Sequence, residues 1–231
     1  GVATLREHDG ALQLLGSSVG AGRKDWIQSL AWVGDNAVLA APDGTRYVYN
    51  VADPAKPHLA AAVTLPGHLD FVASTPQSRT RVVGPDERHS GLTTPSTVGV
   101  LDLTDPTRPR VTHSISLGKG RAEGAVQSFA WLRDLQLLTV PLRTVKSVGP
   151  PQCPLLHGRP SCSTDIYRAA LIRTGANDSL RLLGQVNLDG YPRRFLAVGG
   201  LLAAITDDTV VLIDPVRAKA LDTVRGDNHK S

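Results

Sequence analysis

Three acids and an arginine pair stand where a repeating chain could bring them together. Asp25, Asp70 and Glu123 each lie just ahead of a short apolar strand pattern, and Arg193 with Arg194 opens another. Carboxylates converging on an open cleft can hydrolyse a glycosidic bond, one donating a proton while the other acts as base or nucleophile. The same oxygens could instead hold a divalent cation. The arginines weigh against both uses, because a neighbouring guanidinium turns an acid into an ion pair. Sugar subsites also stack on aromatic rings, and Phe, Trp and Tyr make up only 4% of the chain. These five residues are therefore candidates for ligand binding. No catalytic residue, metal ligand or cofactor is assigned.

Other chemistry-bearing residues are weaker candidates. His89 and Ser90 adjoin, with Asp86 nearby, in the loop PDERHSGLTTPS. A nucleophilic triad, however, is defined by spatial roles and not by local clustering. Neither GxxxxGK nor a GxGxxG between strand and helix occurs, so no phosphate cradle is signalled. Cys153 and Cys162 flank the Pro-rich segment QCPLLHGRPSC, with only His157 between them. That is short of the four ligands of a structural zinc site. A local disulfide is the expected state, which places the protein in an oxidising, extracytoplasmic compartment, secreted or in the cell envelope. The chain has no Met and opens in mid-pattern as GVATLREHDG, as a mature or truncated piece of a longer precursor would.

The elements that must position these residues follow from a repeat. VYNVADPAKPHLAAAVTLPGH (Val48 to His68), VLDLTDPTRPRVTHSISLGKG (Val100 to Gly120) and the clipped VLIDPVRAKALDTVRGD (Val211 to Asp227) each read as an alternating strand, an Asp-Pro turn and a second strand. IQSLAWV and VQSFAWL match nearly residue for residue, which sets Trp32 and Trp131 at equivalent positions as packing residues. Period-two alternation punctuated by turn residues, with no helical periodicity, divides the chain into four-stranded units. Internal repetition at this spacing is the signature of a propeller or solenoid. The expected fold is all-β, a β-propeller of four-stranded blades with about four and a half blades present. Both a five-bladed closed ring and part of a larger propeller fit that count.

Within one domain over 1–231, residues 1–22 form the outer half of a preceding blade, since ATLREHDGALQLLGSSVGAG resembles ALIRTGANDSLRLLGQVNLDG. Blades follow at 23–67, 68–120, 121–190 and 191–226, with a tail at 227–231. The strands are expected at Trp26 to Val33, Asn36 to Ala41, Arg46 to Val51 and Leu59 to Leu65, then Asp70 to Ser74, Thr80 to Gly84, Thr97 to Leu103 and Arg110 to Leu117. The third blade takes Val126 to Leu132, Gln136 to Leu142, Asp165 to Arg173 and Leu180 to Leu188. The fourth takes Arg193 to Val198, Leu201 to Thr206, Thr209 to Ile213 and Lys219 to Val224. Asp53, Asp102, Asp105 and Asp214 are assigned to turn architecture, accepting backbone N–H bonds, while Pro57 and Pro109 start outer strands where a missing donor is harmless.

WVGDNAVLAA, YNVADPAKPHLAAAVTLPGH, LDLTDPTRPRVTHSISLGKG and GYPRRFLAVGGLLAAITDDTVVLIDP together resemble the layout of bacterial secreted proteins with a C-terminal β-propeller domain. The resemblance covers the whole chain and corresponds to the later blades of such a domain. It implies a fold and no catalytic residues. The fourth unit departs from it in its shortened DPVRAK turn, and the third blade opens on the acid-bearing GRAEG.

Two long connections, 85–96 and 143–164, are expected on the blade face that also carries Asp25, Asp70, Glu123, Arg193 and Arg194, around the channel mouth. Long loops in a compact domain commonly bind something. The function this supports is a non-catalytic binding or scaffold propeller recognising a protein or polysaccharide, with a carbohydrate-active hydrolase or lyase as the alternative. Lys and Arg number 25 against 21 Asp and Glu, giving a net charge of +4 that is scattered along the chain. Nucleic-acid surfaces need a clustered basic patch with stacking aromatics, so none is expected as a partner. No apolar run approaches the ~20 residues that span a bilayer. An incomplete propeller leaves open strand edges, so a second chain or self-association that completes it is a further expected partner.

Overall fold

The computed structural model describes residues 1–19, 27, 29–41, 45–64, 71–74, 79–85, 96–123, 128–147, 155–156, 159–160, 163–175 and 179–226. The chain divides into two compact units, Gly1–Glu87 with Thr97–Ser114, and Arg88–Ser96 with Ile115–Ser231.

In the first unit, β1 (Val2–His8) and β2 (Ala11–Ser18) form a hairpin closed by Asp9 and Gly10, both at positive φ (52° and 73°). Two left-handed residues in a row make the turn type whose twist matches that of the flanking strands, and Asp-Gly is its preferred sequence. β3 (Ser29–Val33), β4 (Asn36–Ala40), β5 (Thr45–Asn50) and β6 (His58–Thr64) build an antiparallel sheet in chain order. β7 (Phe71–Ser74), β8 (Arg79–Pro85), β9 (Ser96–Asp102) and β10 (Arg110–Ser116) build the next, with the unit boundary running through β9 and β10. Apart from β3, which begins at Ser29, these bounds fall within one residue of the expected strands, and the segment 1–22 read as an outer half-blade carries the β1–β2 hairpin.

Both faces of a blade must be buried, and the alternation shows how. Ala31, Val33, Val38, Ala40 and Val48 pack on Leu101 and Leu103 of the following sheet. Ala37, Leu39 and Tyr49 point the other way and meet Val2 of β1.

The second unit begins with β11 (Arg121–Ala122) and β12 (Ala130–Leu132), both paired to β13 (Leu137–Ser147). Of the inner strand expected at Val126 to Leu132, the last three residues form β12, 126–127 lie outside the described residues, and a 3-10 turn, Arg133–Leu135, joins β12 to β13. β13 runs antiparallel to β16 (Ser163–Thr174), which pairs with β17 (Leu180–Leu188). β14 (Leu155–Leu156) and β15 (Arg159–Pro160) form a short hairpin within the connection. β18 (Pro192–Val198), β19 (Leu201–Thr206), β20 (Thr209–Asp214) and β21 (Lys219–Arg225) complete the unit. Its core joins Leu137, Ala169, Leu171, Val186 and Leu188 to Phe195, Leu202, Ala204, Val211 and Ile213.

The long connection expected at 143–164 is corrected by this pairing. β13 and β16 stay in register from Leu137↔Arg173 out to Ser147↔Ser163, so Arg143 and Thr164 are strand residues. Apolar alternation ends where burial ends, but backbone pairing continues through β-branched and polar residues such as Thr144, Val145 and Lys146. Of the connection expected at 85–96, Pro85 ends β8 and Ser96 starts β9; 86–95 lie outside the described residues, as do His89, Ser90 and Asp86.

The Asp-Pro turns act as expected. Asp53 Oδ1 accepts from Ala55 N (2.9 Å), Asp105 Oδ1 from Thr107 N (2.9 Å), and Asp214 Oδ1 from Val216 N (2.8 Å). Asn50 and Asp102 make the same bond one step earlier, to Ala52 N (3.1 Å) and Thr104 N (3.0 Å), so each full repeat carries two such turns in tandem. The shortened fourth turn keeps a single acid, Asp214, which takes a second bond from Arg217 N (3.1 Å).

Hydrogen bonds to the ionised form hold two of these carboxyls below the usual range. The Thr104 hydroxyl, 2.6 Å from Asp102, is the main cause there, helped by Thr104 N–H and Arg110; the Thr107 hydroxyl, also at 2.6 Å, does the same for Asp105. A group whose folded value is depressed binds fewer protons folded than unfolded. Its stabilisation is complete above the ordinary carboxylate value of about 3.9 and is lost as pH falls through the folded one. Urea midpoints measured against pH should therefore fall below about pH 4. D102N should lower the midpoint at pH 7 and flatten that acid slope; an unchanged slope would mean that Asp102 does not carry it.

Candidate functional site

On one face of the β13–β16 arm, alternation and register gather four side chains. Arg143 and Tyr167 are direct cross-strand partners, Asp165 lies two residues before Tyr167, and Glu123 N donates to Pro141 O (3.1 Å), continuing the pairing of β11. Residues two apart on a strand share a face, so Glu123, Arg143, Asp165 and Tyr167 all project to the same side. Arg143 Nη1 donates to Glu123 Oε1 at 2.9 Å, and Arg143 Nε stands 2.9 Å from Asp165 Oδ1 as an ion pair. The bond to Asp165 is the main reason that the guanidinium is held still more firmly protonated than usual.

The cluster continues through aromatic contacts. Tyr167 meets Tyr191 edge to face, with ring centroids 5.5 Å apart and planes at 80°. The guanidinium of Arg193 lies 4.7 Å from the Tyr191 ring centroid and pairs with Asp207. An edge-to-face ring pair is worth on the order of 1 kcal/mol. Burial, and next to it the negative charge of Asp165, raises the Tyr167 phenol above its usual value, so it is a neutral hydroxyl at physiological pH.

Glu123 and Arg193 thus sit in one polar and aromatic face of the second unit, each with an ionic partner. Arg194 is exposed on β18. Asp25 and Asp70 lie outside the described residues, as do Cys153 and Cys162. Sequence reasoning missed Arg143, Asp165, Tyr167, Tyr191 and Asp207. The available signal was the spacing D-I-Y opposite Arg143, which the reading of 143–164 as a connection concealed. No group of three or more His, Cys, Asp or Glu that could hold a metal occurs among the described residues.

Chemically the face offers carboxylates already engaged by arginine, Glu123 and Asp165 by Arg143 and Asp207 by Arg193, and two tyrosines held in an edge-to-face pair. The Glu123 carboxylate is spent on a guanidinium. One face of the Tyr191 ring lies under the Arg193 guanidinium.

A family model described as a beta propeller domain matches residues 1–212. No curated protein matches the chain in sequence. Among solved structures it is similar to Sqt1 of Saccharomyces cerevisiae, with a TM-score of 0.54 and 10% identity over 91% of this chain and 50% of that one. It is also similar to Sqt1 of Chaetomium thermophilum, with a TM-score of 0.50 and 15% identity over 94% of this chain and 62% of that one. The chain therefore spans between half and two thirds of the length of these structures, and identities this low speak for the fold alone.

Arg143→Ala leaves Glu123 and Asp165 facing each other without a cation. The side chains of Arg143, Glu123 and Asp165 are 25%, 30% and 37% exposed, so water screens part of the loss. The expected cost is about 1 to 2 kcal/mol in chemical denaturation, partly recovered when Glu123→Gln is added. A change under about 0.5 kcal/mol would show that the cluster does not depend on its arginine.

Proposed function

The chain belongs to the beta propeller domain family, and we propose that within it this protein is a non-catalytic, extracytoplasmic binding or scaffold propeller. Its ligand is a protein segment, held against the face that carries Arg143, Tyr167, Tyr191 and Arg193. One observation carries the reading: the acids on this face are bound by arginine, Glu123 and Asp165 by Arg143 and Asp207 by Arg193, while the tyrosines stand among them. Tyr and Arg are the residue types over-represented where protein interfaces concentrate their energy. A hydrolase acting on carbohydrate would need one of these carboxyls free to act as acid, base or nucleophile.

The test sets binding against turnover. The protein is titrated by calorimetry with secreted-proteome peptide pools and with soluble polysaccharides, and reducing-end release is followed in parallel. The expected result is peptide binding without sugar release, weakened at least about tenfold by Y191A or R193A. Sugar release that is abolished by Glu123→Gln would overturn the reading in favour of the enzyme. Polysaccharide binding without release would keep the binding role and replace the ligand class.

The extracytoplasmic location rests on Cys153 and Cys162, between which the β14–β15 hairpin runs with Leu155 opposite Pro160. A disulfide there closes a short loop and contributes on the order of 2 to 3 kcal/mol. Non-reducing mass spectrometry after alkylation, on protein prepared from an oxidising compartment, should find neither thiol labelled. Two labelled thiols would remove the argument for that compartment.

A further inference from the structure

Two arginines face each other across the β16–β17 ladder. Arg173 and Arg181 are direct cross-strand partners, and Leu137 stands opposite Arg173 on the next strand. Directly opposed residues of an antiparallel pair share a face, and like charges placed so destabilise the pair. Both arginines are exposed, and among the described residues neither has a hydrogen-bond or ion-pair partner. On the β13 side the row ends at Leu137, which is buried in the core of the second unit, so β13 supplies no acid at this level.

The β1–β2 hairpin has the same position with different chemistry. In both ladders the register steps by one residue beside a glycine: Thr4 pairs with Gly16 and Leu5 with Leu14, as Leu171 pairs with Gly184 and Ile172 with Leu182. The next pair is Arg6 with Gln13 in the hairpin and Arg173 with Arg181 in the second unit. Arg6 Nη2 donates to Gln13 Oε1 at 3.1 Å. At Arg181 a donor stands where the hairpin has its acceptor, so the bond is missing and a repulsion takes its place.

The ladders directly oppose arginines once more, at Arg121 and Arg143, and there the charge is compensated. Glu123 and Asp165 both reach Arg143. Nothing comparable serves Arg173 and Arg181. Asp214 belongs to the turn whose Ala218 would meet a Cβ on Gly184, but its carboxylate already accepts from Val216 N and Arg217 N and pairs with Arg217 at 3.7 Å.

We propose that Arg173 and Arg181 together bind a tetrahedral phosphate dianion, free or as a monoester, between their guanidinium groups. Two fixed positive charges are matched by two negative ones, whereas a carboxylate would leave one cation over. Guanidinium forks present paired N–H donors whose spacing fits phosphate oxygens. The site lies six residues along β16 from Tyr167, about 20 Å at the rise of a strand. It is separate from the Arg143 face and does not rest on the function proposed for that face.

The experiment measures the melting temperature of the chain in inorganic phosphate and, at matched ionic strength, in chloride alone. With phosphate at about ten times a millimolar dissociation constant, the expected rise is about 3 °C. R181Q gives the pair the chemistry of Arg6 and Gln13. In chloride it should melt about 1 to 3 °C above the parent, because the repulsion is gone. It should also lose the phosphate response. Phosphate stabilises proteins in general by exclusion from their surfaces, so the difference between parent and variant is the readout. Glucose 6-phosphate in place of inorganic phosphate separates the two sources. A response no stronger than that to inorganic phosphate assigns the site to the free anion, and one reached at about tenfold lower concentration assigns it to a phosphate ester. No shift in the parent, or an equal shift in parent and R181Q, overturns the proposal. So does an R181Q chain that melts below the parent in chloride, since the two arginines would then already be satisfied.

Discussion

Everything in this protein depends on how closely one four-stranded sheet can approach the next. Strands built from Ala, Val and Leu give each blade two thin apolar faces, and a thin face contributes only if its neighbour comes near enough to exclude water. The outer strands meet this requirement with one device used repeatedly. β2, β6, β17 and β21 each carry an extra residue, Leu15, Ala60, Leu183 and Leu221, opposite a single step of the partner strand. A bulge bends and twists its strand. In three of the four the next residue is small: Gly16, Ala61 and Gly184. Gly16 comes against Ala55 and Pro57 of an Asp-Pro turn, and a Cβ on Gly184 would meet Ala218 at 2.8 Å. Small residue and turn fit together, which explains why Asp-Pro turns and Leu-Gly pairs recur together in the sequence.

The turns contribute by satisfying their own backbone. A tandem of Asx-type bonds at Asn50 and Asp53, repeated at Asp102 and Asp105, closes the polar groups of a tight connection that leans on an apolar neighbour. Unpaired backbone groups in that position would cost more than the packing returns. Because Asp102 and Asp105 do this as anions, the packing becomes acid-sensitive, and one residue type links architecture to pH.

The polar face of the second unit uses a different rule. Past the end of the core, β13 and β16 keep pairing because each backbone bond supports the next, and their side chains are released from the demand to be apolar. Charges can then be placed on a regular ladder, and Arg143 holds two carboxylates across it. The regularity of the arm, more than the identity of any one residue, makes Glu123, Asp165, Tyr167 and Tyr191 a single surface. A flexible connection of the same composition would pay the entropy of ordering them upon binding.

Strand order and the function of Asp53, Asp102, Asp105 and Asp214 could be read from residues 1–231, because alternation and turn chemistry are local and the repeat supplies several independent copies of each. Where the reading stopped at Leu142 and resumed at Asp165, it followed apolar periodicity, which reports burial and not hydrogen bonding. The bulges were invisible for the same reason, since an extra residue changes register against a partner that the sequence does not name. Glu123 could be singled out as an acid near a strand, but its partner Arg143 is twenty residues away and brought beside it only by the pairing of β11 with β13. The sequence by itself determined the strands, their turns and their meandering order. Tertiary structure alone decided which charges meet one another and which apolar residues pack together, because both depend on what lies across a strand or a sheet and not along the chain.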